Sequence, residues 1–179
     1  MSGLISFQQF LNSDKSQQTH TLSLLFEPCE ALQNLIFRNL LNSEPKSFSS
    51  YIEFIEAVRK TLLLLLKASS TNKDLISKII AAHPRLGAKK VESKLSQAEQ
   101  ASLQSSTEEA QILAELNSKY ETKFPGLRYV VFVNGRSRPE IYKNINTRID
   151  RGNYGLECEE AFNAMCDIAI DRATKLSKI

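Results

Sequence analysis

The chain has few of the residues that interrupt helices: six glycines and five prolines in 179 residues. So little turn-forming sequence argues against a fold of short strands and for long helices. The three cysteines, Cys29, Cys158 and Cys166, make no CxxC pair and leave an odd thiol over. That fits a reducing compartment with free thiols, and predicts three small buried apolar side chains. The most apolar run covers only 62–66, far below the ~20 residues of a membrane helix. The start, Met1-Ser2-Gly3-Leu4, has neither the basic segment nor the apolar core of a secretory leader, so none is expected. No Gly-rich phosphate loop occurs. Neither histidine, His20 or His83, stands in a Cys/His/Asp ligand spacing, so no metal site is predicted. The net charge of +3, without a basic run interleaved with aromatics, predicts no nucleic-acid partner.

What remains is an ordinary globular composition, 42% hydrophobic and 24% charged. A chain of this length buries roughly 70% of its unfolded surface, and one domain over 1–179 is expected. Apolar residues recur at helical spacing through most of it. The pattern predicts helices over 7–11, from Pro28 in a first turn to about 41, and over 51–67 with Ser49 as cap. It predicts another after an Asn72 cap, one opened by a Ser106/Glu109 capping box, one from Pro139 holding Ile141, Ile145 and Ile149, and a last over about 157–175. Pro125-Gly126 and Arg151-Gly152-Asn153 read as breaks. The β-branched stretch 129–133 reads as a short, buried, extended segment. The expected fold is all-α, a single-domain helical bundle with that one extended segment, which cannot build a sheet alone.

Three places carry more than packing. His83-Pro84-Arg85-Leu86-Gly87 ends the Asn72 helix, because the residue before a proline is pushed out of the α region. Gly87 suits the tight loop that follows. A helix C-terminus favours a protonated imidazole, so His83 either caps carbonyls or exchanges protons. In Ser96-Gln97-Ala98-Glu99, Glu99 either closes a capping box or supplies a carboxylate beside His83. Arg172 falls on or beside the apolar stripe of Phe162, Met165, Ala169 and Ala173. A guanidinium there needs an anion, from the protein as a buried salt bridge or from a ligand. The loop 134–138, with Arg136 and Arg138, is either an anion-binding loop or a solvated turn.

In this order these segments resemble the 2-oxo-4-hydroxy-4-carboxy-5-ureidoimidazoline (OHCU) decarboxylase family, in particular a fungal-like member. The matching residues are His83-Pro84-Arg85-Leu86-Gly87, Ser96 with Glu99-Gln100, 129–134 followed by Gly135-Arg136-Ser137, and Arg172. Many members carry Asp where Arg85 stands, and the His83 to Glu99 interval is shorter than in many. The resemblance covers the chain from about residue 26. It implies an all-α homodimer that converts OHCU to (S)-allantoin in urate catabolism without metal or organic cofactor. The carboxylate is next to a C=N bond that takes up the electrons released with CO2. The resemblance implies His83, Glu99 and Arg172 as catalytic, with Pro84, Ser96 and the Val131 amide positioning the substrate. The alternative is a ligand-binding or interaction protein on the same scaffold without catalysis. The ending Ser177-Lys178-Ile179 is close to a peroxisomal Ser-Lys-Leu address, so the expected location is peroxisomal or cytoplasmic.

Overall fold

The computed structural model of the chain describes residues 3–42, 48–87, 94–99 and 107–177. Among them are nine α-helices and no strand. They are α1 (Phe7–Asn12), α2 (Lys15–Leu25), α3 (Glu30–Ile36), α4 (Tyr51–Lys67) and α5 (Ser69–Ala81), then α6 (Lys94–Glu99), α7 (Thr107–Lys123), α8 (Arg138–Arg151) and α9 (Tyr154–Leu176). A π-helical turn, Phe37–Leu41, prolongs α3. No described helix is long and apolar enough to cross a membrane.

Helix α9 is the centre of the bundle. Asn153 caps it by accepting from the Leu156 amide at 3.0 Å. Gly152, with φ +63°, supplies the left-handed turn out of α8. Ala161, Ala169 and Ala173 are buried on α9 beside Phe162, Met165 and Cys166. The small residues let α4 lie along this face, and α2 and α5 complete the packing. At one end Phe7, Phe10, Tyr51 and Phe54 stack edge-on and tilted, with Phe7 and Tyr51 ring centres 5.0 Å apart. Each such buried ring contributes roughly 1.5–3 kcal/mol through the water it leaves.

The expected helices over 7–11, 51–67 and from Pro139 are all present, but their ends differ in detail. Ser50, not Ser49, accepts from the Glu53 amide, while the Ser49 amide donates to the Glu53 carboxylate. Asn72 lies inside α5, which starts at Ser69, and its side chain donates to the Ala68 carbonyl. Pro28 precedes the first turn of α3, whose cap is Cys29, and Cys29 is half-buried rather than buried. Ser106 lies outside the described residues, and Glu109 accepts from Arg138 at 2.7 Å. Ser96 is the third residue of α6, not its cap, because its hydroxyl is turned to an ion pair in the core.

Helix α2 has no counterpart in the sequence reading. Its buried positions are 18, 21, 22 and 25, a regular helical stripe. Two of the four are Gln18 and Thr21, so the stripe is not apolar and its period is hidden. Gln18 is satisfied in the interior by donating to the Phe10 carbonyl at 3.1 Å.

Candidate active site

The segment 129–133 joins α7 to α8 as irregular chain with no β-ladder. It is held from behind. Arg148 Nη1 donates to the Val130 carbonyl at 3.0 Å, and its Nε to Glu157 Oε2 at 2.7 Å. Tyr120 and Arg151 donate to the same fully buried carboxylate, at 2.7 and 2.6 Å. The Arg148 guanidinium also lies over the Tyr129 ring, 4.9 Å from its centre. At the far end Arg136 donates to the Phe132 and Val133 carbonyls. Arg138 is paired with Glu109, and Ser137 donates to Glu140 at the start of α8. Within loop 134–138, Arg136 thus buttresses the wall, while Arg138 ties the start of α8 to α7.

The other face of this wall borders a cavity of about 220 Å³. That is below the roughly 300–1,000 Å³ of sites for larger ligands, and suits a molecule of about one ring. Five of the six residues picked out from the sequence line it: His83, Pro84, Ser96, Val131 and Arg172. They come from the end of α5, from α6, from the wall and from α9, so tertiary packing alone brings them together. Asp171 and Lys175 stand beside them, paired at 2.6 Å. Glu99 is the last residue of α6, and its side chain lies outside the described residues.

His83 is placed by its own backbone. Its amide donates to the Ile80 carbonyl at 3.2 Å, and its carbonyl accepts from Arg128 Nη1 at 2.8 Å. The loop beyond is pinned by Asn117, which donates to the Leu86 carbonyl at 2.9 Å. Gly87 has φ +74°, and a Cβ there would meet Leu113 at 2.7 Å, so only glycine fits. Arg85 turns outward to Glu121. His83 is 6% exposed, and its Nε2 meets no hydrogen-bond partner among the described residues.

The imidazole is the opposite of what its helix end suggests. Burial pushes its pKa down to about 4; Glu27 opposes this, while Arg172 and Arg128 add to it. Desolvation outweighs the helix C-terminus, so His83 is neutral at neutral pH. The unfolded chain binds a proton below about pH 6.5, the folded one only near pH 4. The folded state therefore loses stability as pH falls through that window, by about 3 kcal/mol in full. We expect urea-unfolding free energies of His83→Asn to fall less steeply from pH 7 to pH 4 than those of wild type. Equal slopes would refute a buried neutral His83.

Arg172 forms a buried salt bridge, the first of the two readings open for it, and it also borders the cavity. Its Nη2 donates to Glu27 Oε1 at 2.7 Å and to Ser96 Oγ at 2.9 Å. Ser96 in turn donates to Glu27 Oε1. Arg172 Nη1 reaches the Leu24 and Leu25 carbonyls at 3.3 and 3.4 Å. Glu27 escaped the sequence reading. It is buried, follows Phe26, the C-cap of α2, and has φ +57°, a conformation that glycine usually supplies. The residue before a proline rarely sits there. One signal was available: a lone carboxylate closing the apolar run Leu24-Leu25-Phe26 just before Pro28. Burial pushes the thiol of Cys158 up to about 11 and that of Cys166 up to about 12, so both stay protonated at neutral pH.

A family model described as OHCU decarboxylase matches residues 12–174 of the chain. No match is found among curated proteins.

Proposed function

Because the chain belongs to the OHCU decarboxylase family, lyases of purine catabolism, we propose that it converts 2-oxo-4-hydroxy-4-carboxy-5-ureidoimidazoline to (S)-allantoin. The observation that carries this reading is the convergence of His83, Ser96, Val131 and Arg172 on one ring-sized cavity, with the His83 Nε2 unpartnered among the described residues.

The bond from the ring to the carboxylate breaks, CO2 leaves, and the electron pair enters the neighbouring C=N bond. The resulting anion takes up one proton. The ring hydroxyl then gives up its proton as the carbonyl forms, and a proton is delivered to the carbon bearing the ureido group. Delivery from one face makes the product chiral. His83, neutral beforehand, takes the hydroxyl proton on Nε2 and returns a proton to the ring. Its low pKa makes the protonated form a strong donor for that return. Arg172 and Ser96 hold the anionic or ureido end, the Val131 amide and Pro84 orient the ring, and Glu99 supplies a carboxylate for His83. Imine and protein groups suffice as electron sink and proton carriers, so neither metal nor organic cofactor has a step in this scheme. A homodimer is part of the same reading.

The test is purified protein added to freshly prepared OHCU, followed by circular dichroism. Spontaneous decay gives racemic allantoin without dichroism. We expect a dichroic product to accumulate with the protein present. A rate and chirality equal to the uncatalysed background would leave a binding scaffold without catalysis.

A further inference from the structure

The residues that α9 contributes to the cavity form one stripe: Ile168, Asp171, Arg172 and Lys175. Their spacing puts all four on a single face of a helix. Along that stripe the surroundings change from dry to wet. The Arg172 side chain is 2% exposed, whereas that of Lys175, about one turn further on, is 70% exposed. Lys175 therefore stands at the mouth of the cavity, with its stem on the lining and its ammonium in water. No step of the proposed reaction uses it.

Lys175 Nζ is held by Asp171 Oδ2 at 2.6 Å, four residues back on the same helix. With the acid on the N-terminal side this is a favourable pair, yet it contributes only roughly 0.2–0.5 kcal/mol. Water reaches both groups and screens them. A second carboxylate arriving at the mouth can therefore share the ammonium, or take it over, with little loss.

The carboxylate of the substrate has two reasons to face that mouth. Taking an ionised group into a dry interior costs several kcal/mol, and the neutral ring and ureido group lose less on burial. The carboxylate also leaves as CO2, and a leaving group turned outward has an open way to solvent.

Resting on the decarboxylase reading above, we propose that Lys175 is a binding and specificity-determining residue that takes the substrate carboxylate at the mouth of the cavity and so turns the ureido end inward, to Arg172 and Ser96. Asp171 is its positioning residue, holding the ammonium on the cavity side of α9 until the substrate arrives. Because the contact is made in water, it draws the anion in and orients it without holding it tightly. That suits a decarboxylase, whose rate gains nothing from a deeply stabilised starting carboxylate.

Steady-state kinetics with OHCU tests this, with thermal melts as the control for folding. Lys175→Met keeps the apolar stem and removes the charge. It should raise KM by about two- to fivefold, the size of an exposed ion pair, and leave kcat within about twofold of wild type. Lys175→Glu puts a repelling charge at the mouth and should raise KM by about tenfold or more. Lys175→Arg should stay near wild type. Added salt should lower kcat/KM less in Lys175→Met than in wild type, since one screened attraction is gone. Asp171→Asn releases the ammonium and should lower KM, and should do so by less where Lys175 is already methionine. A pair that only supports the helix would move the melting temperature and none of these. Unchanged KM in both Lys175→Met and Lys175→Glu, or a loss confined to kcat, would overturn the assignment. Calorimetry separates it from the reaction, with allantoate as a carboxylate probe and allantoin as a neutral one. Lys175→Glu should weaken allantoate by about tenfold relative to allantoin, and an unchanged ratio would overturn the role of Lys175. Wild-type protein that turns over no OHCU, yet shows this change in ratio, would count against the decarboxylase reading alone.

Discussion

Replacing His83 with asparagine is expected to leave a folded protein and to slow stereospecific turnover by about 10²–10⁴-fold, the usual contribution of a general acid–base residue. The two backbone hydrogen bonds that place position 83, to Ile80 and from Arg128, do not depend on the side chain. The imidazole Nε2 makes no hydrogen bond within the described residues, so its removal breaks none among them. What disappears is the neutral base of the proposed mechanism. Asparagine does not carry protons near neutral pH. Because this step belongs to the transition state rather than to binding, kcat and kcat/KM should fall together. The measurement is the rate of appearance of dichroic product, with thermal melts as the control for folding. Near-normal turnover in a folded variant would remove His83 from the mechanism.

The largest expected loss of stability is at Glu157. This carboxylate is fully buried and accepts from Arg148, Arg151 and Tyr120. Glu157→Gln leaves Arg148, itself only 3% exposed, as a buried cation without its main counter-ion. Removing one member of such a pair typically costs about 3–5 kcal/mol, or on the order of ten degrees in Tm for a domain of this size. Turnover should fall as well, because Arg148 holds the Val130 carbonyl in the cavity wall. Replacing both partners, Arg148→Met with Glu157→Leu, should recover part of the stability, since two matched apolar groups leave no charge stranded. Urea unfolding of wild type and the two variants provides the comparison. A Glu157→Gln protein within about 1 kcal/mol of wild type would show that water reaches and screens this cluster.

These two sites differ in how legible they were. His83 announced itself, since a histidine between a helix end and a proline is a local pattern. Its protonation did not: the helix end favours the charged form locally, while the burial that overrides it comes from remote elements. The Arg148–Glu157 cluster was not seen at all, because Arg148 on α8 and Glu157 on α9 look like ordinary solvated charges in one dimension. For the same reason Ser96 reads as a helix cap in sequence, although its hydroxyl is committed to Glu27, 69 residues away along the chain.

The sequence by itself determined the helical class, most of the helix positions and five of the residues that line the cavity. These follow from short-range physics: the 3.6-residue period of burial, the caps, and the restrictions that proline and glycine place on the backbone. It also carried the order of motifs on which the family resemblance rests. Tertiary structure alone decided that these residues meet, that burial holds His83 neutral, and that Arg172 forms an ion pair with Glu27. It also decided that α2 is a helix despite its polar stripe. Each of these depends on which groups lose water and which charges approach one another. That is set by elements distant in sequence and brought together only when α9 packs between α2, α4 and α5.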